Sequence, residues 1–245
     1  MSTLLTLTGQ LDAETVTTLS EVNDVATQLN IPYIIVGATA RDLILHHGCG
    51  AAVQRATSDI DFAVQVDSWV SFEMVKQELC ARTFTETPMQ HRFTNLTGKP
   101  IDIVPFGAQV QNNSTIAWPP NGDIVMNVLG FQEACDHAQS VVIPETPYLA
   151  CPVVTPEGFA ILKLIAWQDR SKPERLKDAS DIGYLFSVFR RLDTFIEELY
   201  GDNTIGDLER YEWDTDLAVC FLLGKNCKTV ASDQTKTEIL NPSVA

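Results

Sequence analysis

Two aspartates one residue apart, Asp59 and Asp61 in Thr57-Ser58-Asp59-Ile60-Asp61-Phe62, stand at the head of a run that turns apolar towards Val66. Side chains two positions apart on a strand share a face, so both carboxylates project together while Ile60 points into the core. Two such charges repel unless a cation lies between them. Magnesium suits hard oxygen ligands and leaves room for phosphates and water. Aspartate is also a poor strand former, so a pair in a short apolar strand asks for a reason. The bland reading is a strand end that shows both acids to solvent. Asp102 adds to the metal reading because it interrupts the apolar Ile101-Asp102-Ile103-Val104, where an unpaired carboxylate is costly to bury. If the two strands are neighbours, three carboxylates converge. That is enough for two magnesium ions, and for one carboxylate to take the proton of an attacking hydroxyl. The plainer alternative for Asp102 is the polar side of an edge strand.

The elements that must hold these residues can be read from periodicity. From Leu11 to Leu29, Val16, Leu19, Val22, Ala26 and Leu29 recur at helical spacing, and Asn30 and Pro32 stop the helix. Tyr33-Ile34-Ile35-Val36 is a short β-branched run that predicts a strand buried on both faces. Gly37 breaks it, and a helix over Thr39 to His47 follows. A strand over Asp59 to Val66 and a helix over Ser71 to Arg82 come next. A further strand over Pro100 to Val104 is entered from Gly98-Lys99 and closed by Pro105. Alternating helix and strand signals favour an α/β domain. From Gln109 to Pro144 the pattern weakens, with a loop at Trp118-Pro119-Pro120-Asn121-Gly122 and a strand-like Ser140-Val141-Val142-Ile143.

After Cys151 the character becomes helical. Thr155 is an N-cap, Pro156 suits the first helical position, and Phe159, Leu162, Ile165 and Ala166 form an apolar stripe. Pro173 separates a second helix, Glu174 to Phe189, whose apolar face includes Ile182, Leu185 and Phe186. Weaker helical spacing recurs over Thr194 to Tyr200 and Thr215 to Leu223, and the polar stretch from Lys228 reads as a frayed tail. A boundary near residue 150 divides a catalytic domain, 1–150, from a helical domain, 151–245.

Two further features bear on phosphate. In Val36-Gly37-Ala38-Thr39-Ala40-Arg41-Asp42 a buried strand turns at glycine into a helix start, where backbone N–H groups bind anions and Thr39 adds a hydroxyl; alone, such a glycine is most often just a tight turn. Lys163, Arg170, Lys172, Arg175 and Lys177 concentrate positive charge, and Lys163, on an apolar helix, is assigned a phosphate contact. For Arg170, Lys172 and Arg175 a solvated surface is the plainer reading. Asp178 and Asp181, three apart on one helical face, either orient Lys163 or an arginine or sit on the exposed side. His91 and Arg92 could touch substrate, since both lie on a short polar segment before the Asp102 strand, though an exposed loop is the plainer reading. His46, His47 and Cys49 lack a second pair of zinc ligands, and neither a G-x-S-x-G elbow nor a P-loop is present.

Composition limits the classes. The chain has 245 residues, 45% of them hydrophobic and 20% charged, as a folded globule would. Its formal net charge of -15 argues against a broad nucleic-acid surface. No apolar stretch is long enough to span a bilayer, and the N-terminus has no signal-peptide pattern. Six cysteines without a C-x-x-C pair fit reduced thiols in a cytoplasm.

Taken in order, Gly37-Ala38-Thr39-Ala40-Arg41, Asp59-Ile60-Asp61 and Asp102 resemble the nucleotidyltransferase superfamily typified by DNA polymerase beta. There a glycine followed by glycine or serine opens a helix beside the triphosphate, and a D-x-D strand with a later carboxylate binds two metals. Ala38 departs from that pattern. Lys163-Leu164-Ile165-Ala166-Trp167-Gln168-Asp169-Arg170, followed by Lys177-Asp178-Ala179-Ser180-Asp181-Ile182, resembles the AbiEii-like branch, which includes toxins of bacterial toxin–antitoxin and phage-defence systems. The resemblance implies a mixed β-sheet flanked by helices, α/β (α+β) in class, with a C-terminal helical domain and the nucleotide between the two. It implies two Mg²⁺ ions, with Mn²⁺ as the substitute, at Asp59, Asp61 and Asp102. Nucleotide contacts would come from Gly37, Ala38, Thr39, Arg41, Lys163, Asp178 and Asp181. The implied reaction moves a nucleoside monophosphate from an NTP to a hydroxyl of an RNA or tRNA end, a protein or a small molecule such as an aminoglycoside, and an antitoxin would be a partner. The rival is a catalytically silent module of the same fold that binds nucleotide or protein.

Overall fold

The computed structural model describes residues 4–7, 9, 11–52, 58–107, 111–112, 114–144 and 148–241, so Thr57 and Gln109 lie outside the described residues. In chain order the first half comprises β1 (Leu4–Thr6), α1 (Ala13–Leu29), β2 (Tyr33–Val36), α2 (Gly37–Arg41) with a π-helical extension (Asp42–Gly48), β3 (Ile60–Gln65), α3 (Trp69–Ala81), β4 (Thr85–Glu86), β5 (Arg92–Thr94) and β6 (Pro100–Phe106). Then follow β7 (Gln111–Asn112), β8 (Thr115–Ala117), β9 (Val125–Asn127), α4 (Phe131–Asp136), β10 (Gln139–Ile143) and β11 (Leu149–Val153). The helices α5 (Pro156–Asp169), α6 (Lys172–Phe189), α7 (Asp193–Leu199), α8 (Ile205–Arg210), α9 (Thr215–Val230) and α10 (Asp233–Leu240) complete the described chain.

The main sheet is mixed, in the order β1-β10-β11-β2-β3-β6-β5-β4, and β7 to β9 form a small antiparallel sheet. β3 lies at its centre, antiparallel to β2 and parallel to β6. All four residues of β2 are buried, as a strand apolar throughout requires. α1 starts where the Asp12 carboxylate accepts the Thr15 N–H at 2.8 Å and ends at Asn30, which takes a left-handed conformation at φ 52°. One apolar core runs from β2, β3 and β6 to Leu185, Phe189, Val219 and Leu222 of the C-terminal helices.

Four expectations change. β6 continues through Pro105 to Phe106. Ile103 turns its N–H to His91, on the β5 side, and Pro105 faces the same way two residues on, beyond the point where β5 pairs with Asp102. The missing N–H therefore removes no ladder bond. The helix expected from Thr39 begins at Gly37 and is drawn out by the π-helical turn. Residue 150 falls inside β11, which pairs with β10 and β2, so the change from sheet to helices comes between Val153 and Pro156. Finally, the polar stretch from Lys228 is the end of α9 followed by a second helix. Ser232 caps α10, and the buried Thr235 donates to Glu133 of α4 at 2.6 Å, which ties α10 down.

The buried side of α6 also differs from the expected one. Asp178, Asp181, Leu185, Val188 and Phe189 face inward, whereas Phe186 is exposed. Pro173 lies in the first turn of α6, where no intrahelical N–H is needed.

Candidate active site

Register does the positioning. Val36 of β2 aligns with Asp61 of β3, Asp61 with Asp102 of β6, and Asp102 with Arg92 of β5, so four residues form one row across the sheet. Asp59 precedes β3 and joins Asp61 through the two-residue repeat of the strand. Carboxylate oxygens of Asp59, Asp61 and Asp102 lie within 4.8 Å of one another, and all three residues are half-buried. Burial, reinforced by the negative charges of Asp59 and Asp102, pushes the Asp61 carboxyl up to about 7. Lys163 and Arg170 pull the other way without cancelling burial and the two neighbouring carboxylates. The donor set is oxygen only, with neither imidazole nor thiolate, which fits a hard divalent cation such as Mg²⁺ or Mn²⁺.

Gly37 follows Val36 directly and therefore lies against Asp61. Its φ is +68°, and a Cβ there would stand 1.9 Å from Asp61 Oδ2. Both the conformation and the contact demand glycine. Thr39 Oγ1 donates to the backbone carbonyl of Asp59 at 3.1 Å, so this hydroxyl braces the segment that leads into β3. Ala38 is buried, with its methyl group in the fold rather than in a cleft.

A cleft of about 390 Å³ opens beside the carboxylates, and its lining includes Gly37, Asp61, Asp102, Phe159, Lys163 and Arg170. Residues of the sheet end and of α5 line it together. Lys163 is gripped from behind: its ammonium contacts Asp178 at 3.1 Å and Asp181 at 2.8 Å, and lies 5.6 Å over the Phe159 ring. Arg170 meets both oxygens of Asp178 at 3.0 Å.

Arg41, Asp178 and Asp181 are fully buried. Arg41 is paired with Asp181 at 2.7 Å and Asp42 at 2.8 Å. Asp178 and Asp181 hold Lys163, and Arg41 ties α2 to α6 through Asp181. For Asp178 and Asp181 the orienting alternative is the one the structure displays. Arg175 donates to the carbonyls of Arg170 and Gln168 at 2.7 and 3.0 Å, closing the C-terminal end of α5.

Arg92 was missed. Its Nε and Nη2 donate to the two oxygens of Asp102, each at 2.7 Å, and Nη2 also reaches Asp59 at 3.2 Å. The signal was present in the turn Asn95 to Lys99, closed by the Asn95 N–H to the Lys99 carbonyl. Counting outward from that turn as a hairpin pairs Thr94 with Pro100, Phe93 with Ile101 and Arg92 with Asp102.

Comparison with known proteins gives the chain its relatives. A family model described as "Nucleotidyl transferase AbiEii toxin, Type IV TA system" matches residues 23–216. No curated protein matches by sequence. Among solved structures, an antigenic nucleotidyltransferase-like protein from Paracoccidioides brasiliensis is 17% identical, covers 86% of this chain and 94% of its own, and superimposes with a TM-score of 0.45. The ANT(2'')-Ia complex with adenylyl-2''-tobramycin is 14% identical over 69% of this chain and 86% of its own, with a TM-score of 0.41. The lincosamide antibiotic adenylyltransferase LnuA, lincomycin-bound, is 16% identical over 74% and 99%, also at 0.41.

Proposed function

The chain belongs to the AbiEii nucleotidyltransferase family, and on that premise we propose a metal-dependent enzyme that moves a nucleoside monophosphate from an NTP to an acceptor hydroxyl with release of pyrophosphate. The observation that carries this reading is the convergence of Asp59, Asp61 and Asp102 within 4.8 Å of one another, with Asp61, Asp102 and Lys163 lining one cleft. Bound there, divalent cations would neutralise the triphosphate and polarise the phosphorus under attack. Asp59 and Asp61 hold the cations, and Asp102 completes the set or accepts the proton of the acceptor hydroxyl. Gly37 keeps the floor beside Asp61 free of side chain. Lys163, fixed by Asp178 and Asp181, presents its charge to the phosphates, and α5 walls the nucleotide against the sheet. Positioning and charge neutralisation supply most of the rate in such a transfer.

The acceptor is a hydroxyl on an RNA or tRNA end, a protein or a small molecule, and the net charge of -15 weighs against a long RNA footprint. A toxin role follows the family description and predicts growth arrest on expression, relieved by an antitoxin. Among the described residues no helix is long and apolar enough to cross a membrane.

The test is incubation with α-labelled NTPs, Mg²⁺ and candidate acceptors, with products resolved. Label should pass to an acceptor with release of pyrophosphate, and Asp59→Asn or Asp61→Asn should lower the rate by about a thousandfold or more. Equal activity in both variants would sink the mechanism. Metal-dependent NTP binding without turnover in the parent protein would favour a silent module instead.

A further inference from the structure

We propose that Arg92 is a tethered counter-ion of the carboxylate set: it holds Asp59 and Asp102 while no divalent cation is bound, and yields them to a metal–nucleotide complex, so that metal and nucleotide bind cooperatively. The inference rests on the reading that Asp59, Asp61 and Asp102 hold the cations. Its starting point is the pairing itself. Arg92 engages Asp102 through two parallel bonds of 2.7 Å and bridges to Asp59 at 3.2 Å. Guanidinium is a permanent cation, and its fork matches a carboxylate better than a lysine ammonium does. Arg92 thus supplies one positive charge to three gathered acids, from the strand next to Asp102.

That arrangement opposes a cation at the ligand set. Both Asp102 oxygens accept from Arg92, and one Asp59 oxygen does so too; each keeps a second lone pair, but a cation coordinated there stands close to the guanidinium and is repelled by its charge until Arg92 draws back. A free metal ion must meet that cost alone. A cation arriving with a triphosphate brings phosphate oxygens that can accept the N–H groups Arg92 gives up, and phosphate suits the same fork. The guanidinium keeps an exposed side, with 30% of the side chain accessible, from which to make that exchange. A cost met by one ligand and relieved by the other is a coupling free energy, and it acts equally in both directions. A purely structural salt bridge between β5 and β6 would leave only the coupling that direct phosphate–metal contact gives, and substitution of Arg92 would not change it.

The test uses the whole chain, stripped of metal by chelation, with Mn²⁺ as the probe. Binding is followed by the electron paramagnetic resonance signal of free Mn²⁺, with and without a non-hydrolysable NTP. In the parent protein the analogue should tighten Mn²⁺, and Mn²⁺ should tighten the analogue by the same factor. Arg92→Gln should raise nucleotide-free Mn²⁺ affinity by at least about tenfold, the worth of one charge-assisted hydrogen bond, and the coupling should shrink accordingly. Arg92→Lys, charged but without the fork, should fall between. Nucleotide-free affinity that is unchanged or weaker in Arg92→Gln, with coupling intact, overturns the proposal. Should Arg92→Gln fail to fold, an Arg92→Lys protein with the parent's affinity and coupling overturns it equally. Asp61→Asn separates the two levels: if it binds Mn²⁺ as the parent does, the cation site itself is wrong, whereas loss of binding in Asp61→Asn with no effect of Arg92 variants removes this inference alone.

Discussion

Two groups of aspartates in this chain look alike in sequence and are opposite in structure. Asp59, Asp61 and Asp102 are half-buried, gather three carboxyl groups, and have Arg92 as a cation bonded to two of them. Asp178 and Asp181 are fully buried, yet Arg41, Lys163 and Arg170 surround them. The first group is open to a ligand and electrostatically unfinished; the second is deep and balanced. Burial of charge is therefore no guide to function here. On the proposed reading, the metal-binding cluster differs from the scaffold cluster in how fully the protein itself supplies the counter-charge.

The sharpest way to break this contrast is to remove one charge from each side. Asp181→Ala leaves the buried Arg41 guanidinium short of its partner and should cost about 3–5 kcal/mol, read as a lower melting temperature. A loss as small as that of an exposed substitution would show that the network is not the scaffold described. Asp61→Asn should have the opposite sign in the metal-free protein, since it relieves repulsion and desolvation. The effect depends on pH. Between the ordinary carboxyl value of 3.8 and about 7, the folded protein keeps a proton on Asp61 that the unfolded chain has released. Stability of the parent relative to Asp61→Asn should fall as pH rises through that window and then level off; added Mg²⁺ should reverse the deficit at the high end. A difference that is flat with pH would remove the claim of an unfinished cluster. The smallest effect belongs to Arg170→Gln. Its side chain is 47% exposed and Asp178 keeps Lys163, so the cost should stay within about 1 kcal/mol by thermal melting.

Sequence periodicity located most of the elements in the first half because each is short and its pattern unambiguous. β2 is apolar throughout, and β3 begins with the carboxylate alternation that marks a strand leaving the core. The α6 face was misjudged for a physical reason. Hydrophobic periodicity selects Ile182, Leu185 and Phe186, but the helix buries Asp178 and Asp181 because their counter-ions come from α2 and α5. Local pattern carries no information about Arg41, 140 residues from Asp181, and hydrophobic periodicity does not register Lys163 or Arg170, 15 and 8 residues from Asp178. Arg92 is a different kind of miss, since the hairpin that brings it to Asp102 is local and could have been counted from its turn.

What the sequence determined by itself was the chemistry on offer: a D-x-D step on a strand, a third aspartate in another, a glycine before a helix, and a lysine on an apolar helix. These follow from two-residue and 3.6-residue repeats, which act over a few positions. Only the tertiary structure decided which charges meet. Parallel pairing of β3 with β6 set Asp61 beside Asp102, and antiparallel pairing of β2 with β3 brought Gly37 against Asp61. Packing of α5 and α6 against α2 turned two further aspartates into supports for Lys163. Strand order and helix packing are choices among long-range contacts, and electrostatic balance depends on distances that only those choices fix.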